Sequence, residues 1–483
     1  MANAAEILGD ALRRVGYTED GITELLGDDA YSGGPEDVPT LERRLSDTKL
    51  ATVVRVLFLQ LPASRDAMVR ALGRPAVDAL GETGFADVGD EVVPRARIVP
   101  VDELLVAADG YSLAENDPPE YVAAYSPTSR FLHALTPRRR IDTALDVGTG
   151  SGVHALLAAE HARRVIATDV NPRALRFTEL NAALNGLTNV ETRRGSLFEP
   201  VDGERFDLIT CNAPYVVSPE RRWVYRDAGF EADGLSERIV REAARHLSDD
   251  GFASLNVSWV AVDADAPDER VVAWAEETGC DSWILVAEEA DPLGHAAAWN
   301  AHLSDDPAAF NAALDEWTRY LDAIGARWVA DGTVVLHRHG NGAPTTRIDS
   351  VDEEELDDAG DQIERAFASR SRLADLPSRK ALFDEHVALA APVRLEHELE
   401  PRRNELVDAA AHVSLASGTS STVETTAEAL ELVASLDGDL TLGELVADVG
   451  DRFSLTPRER SALEREALEL VEELLELGAA VLV

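Results

Sequence analysis

The chain has only two cysteines, Cys211 and Cys280, in 483 residues. Two thiols build neither a disulfide framework nor, by themselves, a cysteine-based zinc site, so a reducing cytoplasm is the expected setting. Lysine is equally scarce: Lys49 and Lys380 stand alone, and 43 of the 45 basic residues are arginine. No apolar run approaches the roughly 20 residues needed to cross a bilayer. The opening stretch MANAAEILGDALRRVGY lacks a basic region followed by an apolar one, so neither a signal peptide nor a membrane partner is expected.

What is abundant is acid. With 89 acidic residues against 45 basic ones the formal net charge is −44. A surface of that sign repels polyphosphate backbones at low ionic strength. Two origins compete for it. A GC-rich genome favours arginine over lysine, and a salty cytoplasm favours strongly hydrated acidic surfaces, because self-repulsion is tolerable once the Debye length shrinks towards ~3 Å. Hydrophobic residues still make up 45 %. That is ordinary globular material, and the length suits about three domains.

Residues 1–100 read as short helices ending in a hairpin. Leu50, Val53, Val54, Leu57, Phe58 and Leu61 fall on one helical face. Ser64 opens a helix that Gly73 closes, another starts at Arg74-Pro75, and two short strands flank Gly89-Asp90. That order is winged-helix-like. Its recognition helix would carry only Arg74, which points to a structural or protein-docking role rather than DNA reading. Residues 101–345 alternate strand and helix: Thr143–Asp146, Arg164–Thr168, Val190–Arg193, Phe206–Cys211, Phe252–Val257, Trp283–Ala287 and Thr333–His337 are the strands. Seven such strands predict a doubly wound α/β sheet. Residues 346–483 open with an acidic run, Val351–Asp358, read as an exposed helix start or linker. They close with a helix at 427–434, a short strand at Leu440–Leu442, a long helix Ser461–Leu477 and a terminal strand, again winged-helix-like.

The chemistry concentrates in the middle unit. Asp146-Val-Gly-Thr-Gly-Ser-Gly152 follows a predicted strand and opens a helix. Such a turn lets the backbone approach a ligand and presents helix N-terminal N–H groups to it. Asp169 ends the second strand, 21 residues after Gly148. There a carboxylate can accept ribose hydroxyls. Asn212-Ala-Pro-Tyr215 follows the fourth strand. Ligands of doubly wound folds sit outside the carboxyl ends of strands, so the three elements converge on one crevice.

Between Ser126 and Val260 the chain resembles the class I S-adenosylmethionine-dependent methyltransferases, and within them the small-domain group of the release-factor glutamine N5-methyltransferases. The motifs are DVGTGSG (146–152), ATDVNPRALRFTELNAALNG (167–186), RGSLFEP (194–200), FDLITCNAPY (206–215) and DGLSERIVREA (233–243). The resemblance implies a Rossmann-like sheet and S-adenosylmethionine as cofactor. Gly148, Thr149, Gly150, Ser151 and Gly152 would cradle its methionine end with Asp146 nearby. Asp169 would hold the ribose beside Asn171, and Ser196 and Leu197 would flank the adenine. Ser196 stands where the family usually has Asp. Asn212, Pro214 and Tyr215 match the substrate motif Asn-Pro-Pro-Tyr, from which Ala213 departs.

That motif suits a planar nitrogen whose lone pair is delocalised. The Asn212 oxygen and the carbonyl at position 213 can accept its two N–H bonds, and Tyr215 can stack on it. The expected activity is N-methylation of a macromolecule, with a protein glutamine preferred over an RNA or DNA base amine. A non-catalytic cofactor-binding scaffold, its terminal units recruiting partners, is the alternative of another class. Arg221, Arg222 and Arg226 either meet an acidic substrate or pair with local carboxylates. His154 reads as packing, His337 and His339 lack the further ligands of a metal site, and Cys211 reads as a small buried residue. Six of the seven tryptophans, Trp259, Trp274, Trp283, Trp299, Trp317 and Trp328, read as core rather than as a base-stacking platform.

Salt adaptation has a direct test. If the −44 charge is tolerated because it is screened, the melting temperature rises substantially between ~0.1 M and ~2 M salt. A flat profile assigns the acidity to genome composition instead.

Overall fold

A computed structural model describes residues 1–31, 34–111, 118–220, 232–339, 343–402 and 405–483. Its centre is a sheet of eight strands: β1 (Ile141–Val147), β2 (Ala162–Asp169), β3 (Val190–Arg194), β4 (Phe206–Cys211), β5 (Leu247–Ala261), β6 (Asp281–Ala290), β7 (Trp328–His337) and β8 (Thr346–Ser350). Across the sheet they run β3-β2-β1-β4-β5-β7-β6-β8. The first five positions are mutually parallel, β7 is antiparallel to both its neighbours, and β8 is parallel to β6. The central strands are buried on both faces, as in Leu145 and Ile209 on one and Ala144 and Leu208 on the other. That burial is why they read as short apolar runs instead of alternating ones.

The seven expected strands are all present, and an eighth joins them. Thr346-Arg-Ile-Asp-Ser350 is a half-exposed edge strand with a single aliphatic residue, so hydropathy does not mark it. Arg347 covers that edge, pairing with Asp349, Glu473 and Glu476. The strand comes from the segment expected to begin the C-terminal unit, so the sheet runs past residue 345.

The N-terminal helices and strands fall where the pattern puts them, except that the helix carrying Leu50 to Leu57 ends there, with Phe58 as its cap and Leu61 beyond it. Lys49–Leu57, Arg65–Leu72 and Arg74–Thr83 are helices, the Ser64 hydroxyl accepts from the Ala67 N–H, and Glu91–Pro94 lies between Ala63–Ser64 and Ala86–Val88. A second hairpin, Arg97–Val101 with Leu104–Ala108, follows. Its free edge abuts the helix Pro172–Leu184, where Asn181 and the residue just past the helix, Asn185, replace a neighbouring strand. Asn181 accepts from the Ala107 N–H (2.9 Å) and donates to the carbonyls of Ala107 (2.7 Å) and Ser151 (2.8 Å). Asn185 exchanges the same pair of bonds with Leu105. Four residues apart, the two asparagines share one face. Phe85 and Phe177 stack beside them at 6.4 Å, so the N-terminal helices and the central unit share one core.

At the C-terminal end, His386–Leu389 lies between Asp437–Thr441 and Ala480–Leu482. Leu442 begins a helix rather than ending a strand, because Thr441 and Glu444 form a reciprocal cap. A like pair, Thr456 and Glu459, starts the long helix at Pro457, four residues before Ser461, and it ends at Glu476. A meander of Val393–Arg402, Glu405–Leu415 and Thr422–Thr425 was not legible in the sequence. The run 351–358 is a turn ahead of the helix Gly360–Asp375.

Asn181 therefore carries a stability prediction. Asn181→Leu strands three buried backbone groups, each costing about 1–3 kcal/mol, so urea unfolding should show a loss of about 3 kcal/mol or more. A loss below about 0.5 kcal/mol, the range of ordinary surface changes, refutes the docking role.

Candidate active site

Strand register builds the site before any side chain is considered. Val147 on β1 is paired with Thr168 on β2 and with Cys211 on β4. The next residues, Gly148, Asp169 and Asn212, thus leave three adjacent strands side by side at their carboxyl ends. This is where the strand order reverses, and a cavity of about 700 Å³ opens there.

The glycine loop is held from below. The N–H groups of Gly148 and Thr149 both donate to the Thr168 carbonyl. Gly152 has φ +89°, and a Cβ on it would lie 2.9 Å from Thr178, so only glycine serves. Gly148, Thr149, Gly150 and Ser151 line the cavity; Gly152 lies behind them. Asp146 departs from expectation. It is buried beneath the loop, accepting from the hydroxyls of Thr149 (2.6 Å) and Thr210 (2.9 Å), and does not line the cavity. Burial pushes its carboxyl up to about 6, opposed by those two hydrogen bonds. Its geometry is that of a loop anchor.

Asp169 faces the cavity and accepts backbone N–H bonds from Gly150 (3.0 Å) and Asn171 (2.8 Å). Burial raises its pKa, with the backbone donors opposing. Each oxygen of the carboxylate thus accepts one backbone bond, which leaves acceptor positions open to ligand hydroxyls. Asn171 lines the cavity, but its side chain is committed to capping the Arg173 N–H and to the Glu120 carbonyl. Ser196 and Leu197 lie on the cavity wall. Leu197 sits at φ +48°, its carbonyl taking the Thr168 hydroxyl at 3.2 Å.

Asn212 is gripped on both ends. Its Nδ2 donates to the Ser129 Oγ (3.2 Å) and its Oδ1 accepts from the Asn256 Nδ2 (3.0 Å). Asn256 donates also to the Thr128 carbonyl and accepts from the Thr333 hydroxyl (2.6 Å). This chain of donors leaves one lone pair on the Asn212 oxygen. Ala213 is buried against the glycine loop, with Gly148 immediately across from it. Pro214 and Tyr215 line the cavity, and burial raises the Tyr215 phenol well above its ordinary value.

Sequence reasoning missed Ser129, Asn256 and Thr333, and with them the wall from Tyr121 to Ser129 and Trp299. A buried Asn inside an otherwise apolar strand was the available signal for Asn256. Trp259, Trp274, Trp283 and Trp317 are core, as read; Trp299 lines the cavity and Trp328 is exposed. His154 lines the cavity with its Nε2 unpartnered, pushed down to about 4 by burial. Burial pushes the Cys211 thiol up to about 12, which leaves it unreactive. Arg221, Arg222 and Arg226 lie outside the described residues. Among the described residues no group of His, Cys, Asp or Glu could hold a metal ion, and no helix is long and apolar enough to cross a membrane.

Residues 125–258 match the family model described as methyltransferase small domain, and residues 14–97 match a domain of unknown function (DUF7059). A release factor glutamine methyltransferase of Deinococcus radiodurans is 31 % identical over 42 % of this chain and 78 % of its own length. The chain belongs to this methyltransferase family. Another member, the release factor glutamine methyltransferase of Xylella fastidiosa, is 33 % identical over 39 % of this chain, and the match takes in 66 % of that protein, just under two thirds. A ribosomal protein uL3 glutamine methyltransferase of Bradyrhizobium diazoefficiens is 37 % identical over 23 % of this chain and 39 % of that one.

The family's cofactor is S-adenosylmethionine, and the donor set fits it. The cavity is of cofactor size. Asp169 keeps acceptor positions open at the cavity, the 148–151 backbone borders it, and Ser196 lies on its wall. Asp169→Ala should weaken S-adenosylmethionine binding at least tenfold, about 1.4 kcal/mol, with the fold intact. Unchanged affinity by calorimetry removes Asp169 from the cofactor site.

Proposed function

We propose that this chain transfers a methyl group from S-adenosylmethionine to the side-chain amide nitrogen of a glutamine in a protein. The observation that carries it is the fixed Asn212. Ser129, Asn256 and Thr333 hold its side chain in one orientation at the cavity, ahead of Ala213-Pro214-Tyr215. The names of the relatives, which act on release factors and on ribosomal protein uL3, support a protein acceptor.

The cofactor supplies an activated methyl on a positively charged sulfonium. The chain supplies position. An amide nitrogen is a poor nucleophile because its lone pair is delocalised, and its two N–H bonds must be accepted for it to face the methyl squarely. Asn212 Oδ1 takes one and the Ala213 carbonyl the other, and both favour the positive charge that develops on nitrogen. Pro214 holds Ala213 extended without the first proline of the family motif. The cofactor roles of Gly148–Ser151, Asp169, Ser196 and Leu197, with Asp146, Gly152 and Asn171 behind them, belong to the same reading.

The −44 charge favours a protein over a polyanion. The same reading places the enzyme in the cytoplasm and gives residues 1–100 and 346–483 the task of choosing its partner.

Asn212→Ala should lower methyl transfer at least a hundredfold, about 2.7 kcal/mol, while S-adenosylmethionine affinity stays within twofold. The assay is transfer of labelled methyl into a cell extract, followed by separate nuclease and protease digestion. Label released by protease alone supports a protein acceptor. Label lost to nuclease means a nucleobase amine, and no label despite tight cofactor binding means a non-catalytic module.

A further inference from the structure

We infer that Trp299 is a specificity-determining residue of this site, forming the wall against which the planar amide of the acceptor glutamine lies. Antiparallel neighbours can be joined by a turn of a few residues. Here β6 and β7 are joined by residues 291–327, which carry the helices Pro292–Trp299 and Pro307–Ala323. Topology does not require them. They leave the sheet where Trp328 pairs with Ala261, at the carboxyl end of β5 and so at the same end as Asn212.

The helices are tied to the segment after the substrate motif. The His295 Nε2 is 3.0 Å from the Val217 carbonyl, two residues beyond Tyr215. The Tyr320 hydroxyl accepts from the Ala232 N–H at 2.9 Å, and Leu321 is buried with Val217, Val260 and Val329. Trp299 follows His295 by one helical turn, their rings 6.4 Å apart, and it lines the cavity while Trp259, Trp283 and Trp317 are in the core.

Sheet order says which end of the cavity it serves. Asp169, Ser196 and Leu197 follow β2 and β3, on one side of β1. Trp299 enters from the β6–β7 connection on the other side, beyond β4 and its Asn212. The indole therefore belongs to the acceptor end. A flat indole face gives a planar amide a surface to lie against over its whole area, as aromatic faces do in offset stacking. The inference rests on the proposed glutamine transfer and adds the residue that recognises the amide plane.

The test is labelled-methyl transfer into extract protein by Trp299→Ala, Trp299→Leu and Trp299→Phe, with calorimetric S-adenosylmethionine binding and melting temperature alongside. At limiting extract, Trp299→Ala and Trp299→Leu should fall at least tenfold, Trp299→Phe should stay within threefold of wild type, and cofactor affinity should stay within twofold in all three. If the alanine variant does not fold, the leucine variant, which keeps apolar bulk but no flat face, decides. Wild-type transfer by a folded Trp299→Leu overturns the inference and leaves the glutamine reading standing. So does a tenfold loss of cofactor affinity, which would put Trp299 at the wrong end of the cavity. Wild-type protein that labels only nuclease-sensitive material, or nothing, overturns both.

Discussion

Buried backbone polar groups must find partners, and in this chain one asparagine side chain meets that demand for three groups on two segments at once. Asn181 bonds both backbone groups of Ala107 and the carbonyl of Ser151. The hairpin edge, the helix after β2 and the glycine loop are thereby one rigid unit. A neutral amide suits this task because it offers a donor and an acceptor in one plane without the desolvation cost of a charge. The N-terminal helices share the core of that hairpin and also pack directly on the same helix, where Arg13 donates to the Leu184 carbonyl and to Asn185 Oδ1. The position of the glycine loop therefore depends on segments far away in the chain.

The same device recurs at the acceptor end. Thr333 on β7 orients Asn256 on β5, which orients Asn212 after β4, which meets Ser129 at the start of a helix. Each member has one arrangement that satisfies its neighbours, so the amide of Asn212 has one orientation. The carboxylates are used differently. Asp146 is withdrawn under the loop and bonded to hydroxyls, while Asp169 stays at the cavity wall with backbone donors around it. One spacing pattern thus yields two roles, separated by burial.

The chain carries 89 acidic residues against 45 basic ones, and many of its arginines pair with carboxylates. Arg347 binds Asp349, Glu473 and Glu476 and so fastens the C-terminal helix to the edge of the sheet. Arg270 holds the buried Asp233, which in turn accepts from the Val260 N–H close to the acceptor end. Exposed pairs of this kind contribute little individually. These partly buried ones act by fixing where segments meet.

The sequence by itself determined the sheet, the glycine loop, Asp169 and the Asn212–Tyr215 motif. Those features are written in local spacing: a short apolar run, a turn only glycine can make, a residue one position past a strand. Tertiary structure decided the rest. Whether Asp146 meets a ligand depends on Thr210, which lies on another strand. That Asn256 and Thr333 matter depends on register across β4, β5 and β7. The edge strand Thr346–Ser350 exists because β6 offers it a free edge, and Trp299 reaches the cavity only because two helices fold back over the carboxyl ends. Such roles are set by neighbours dozens of residues away, and no local pattern of hydropathy encodes which neighbours those are.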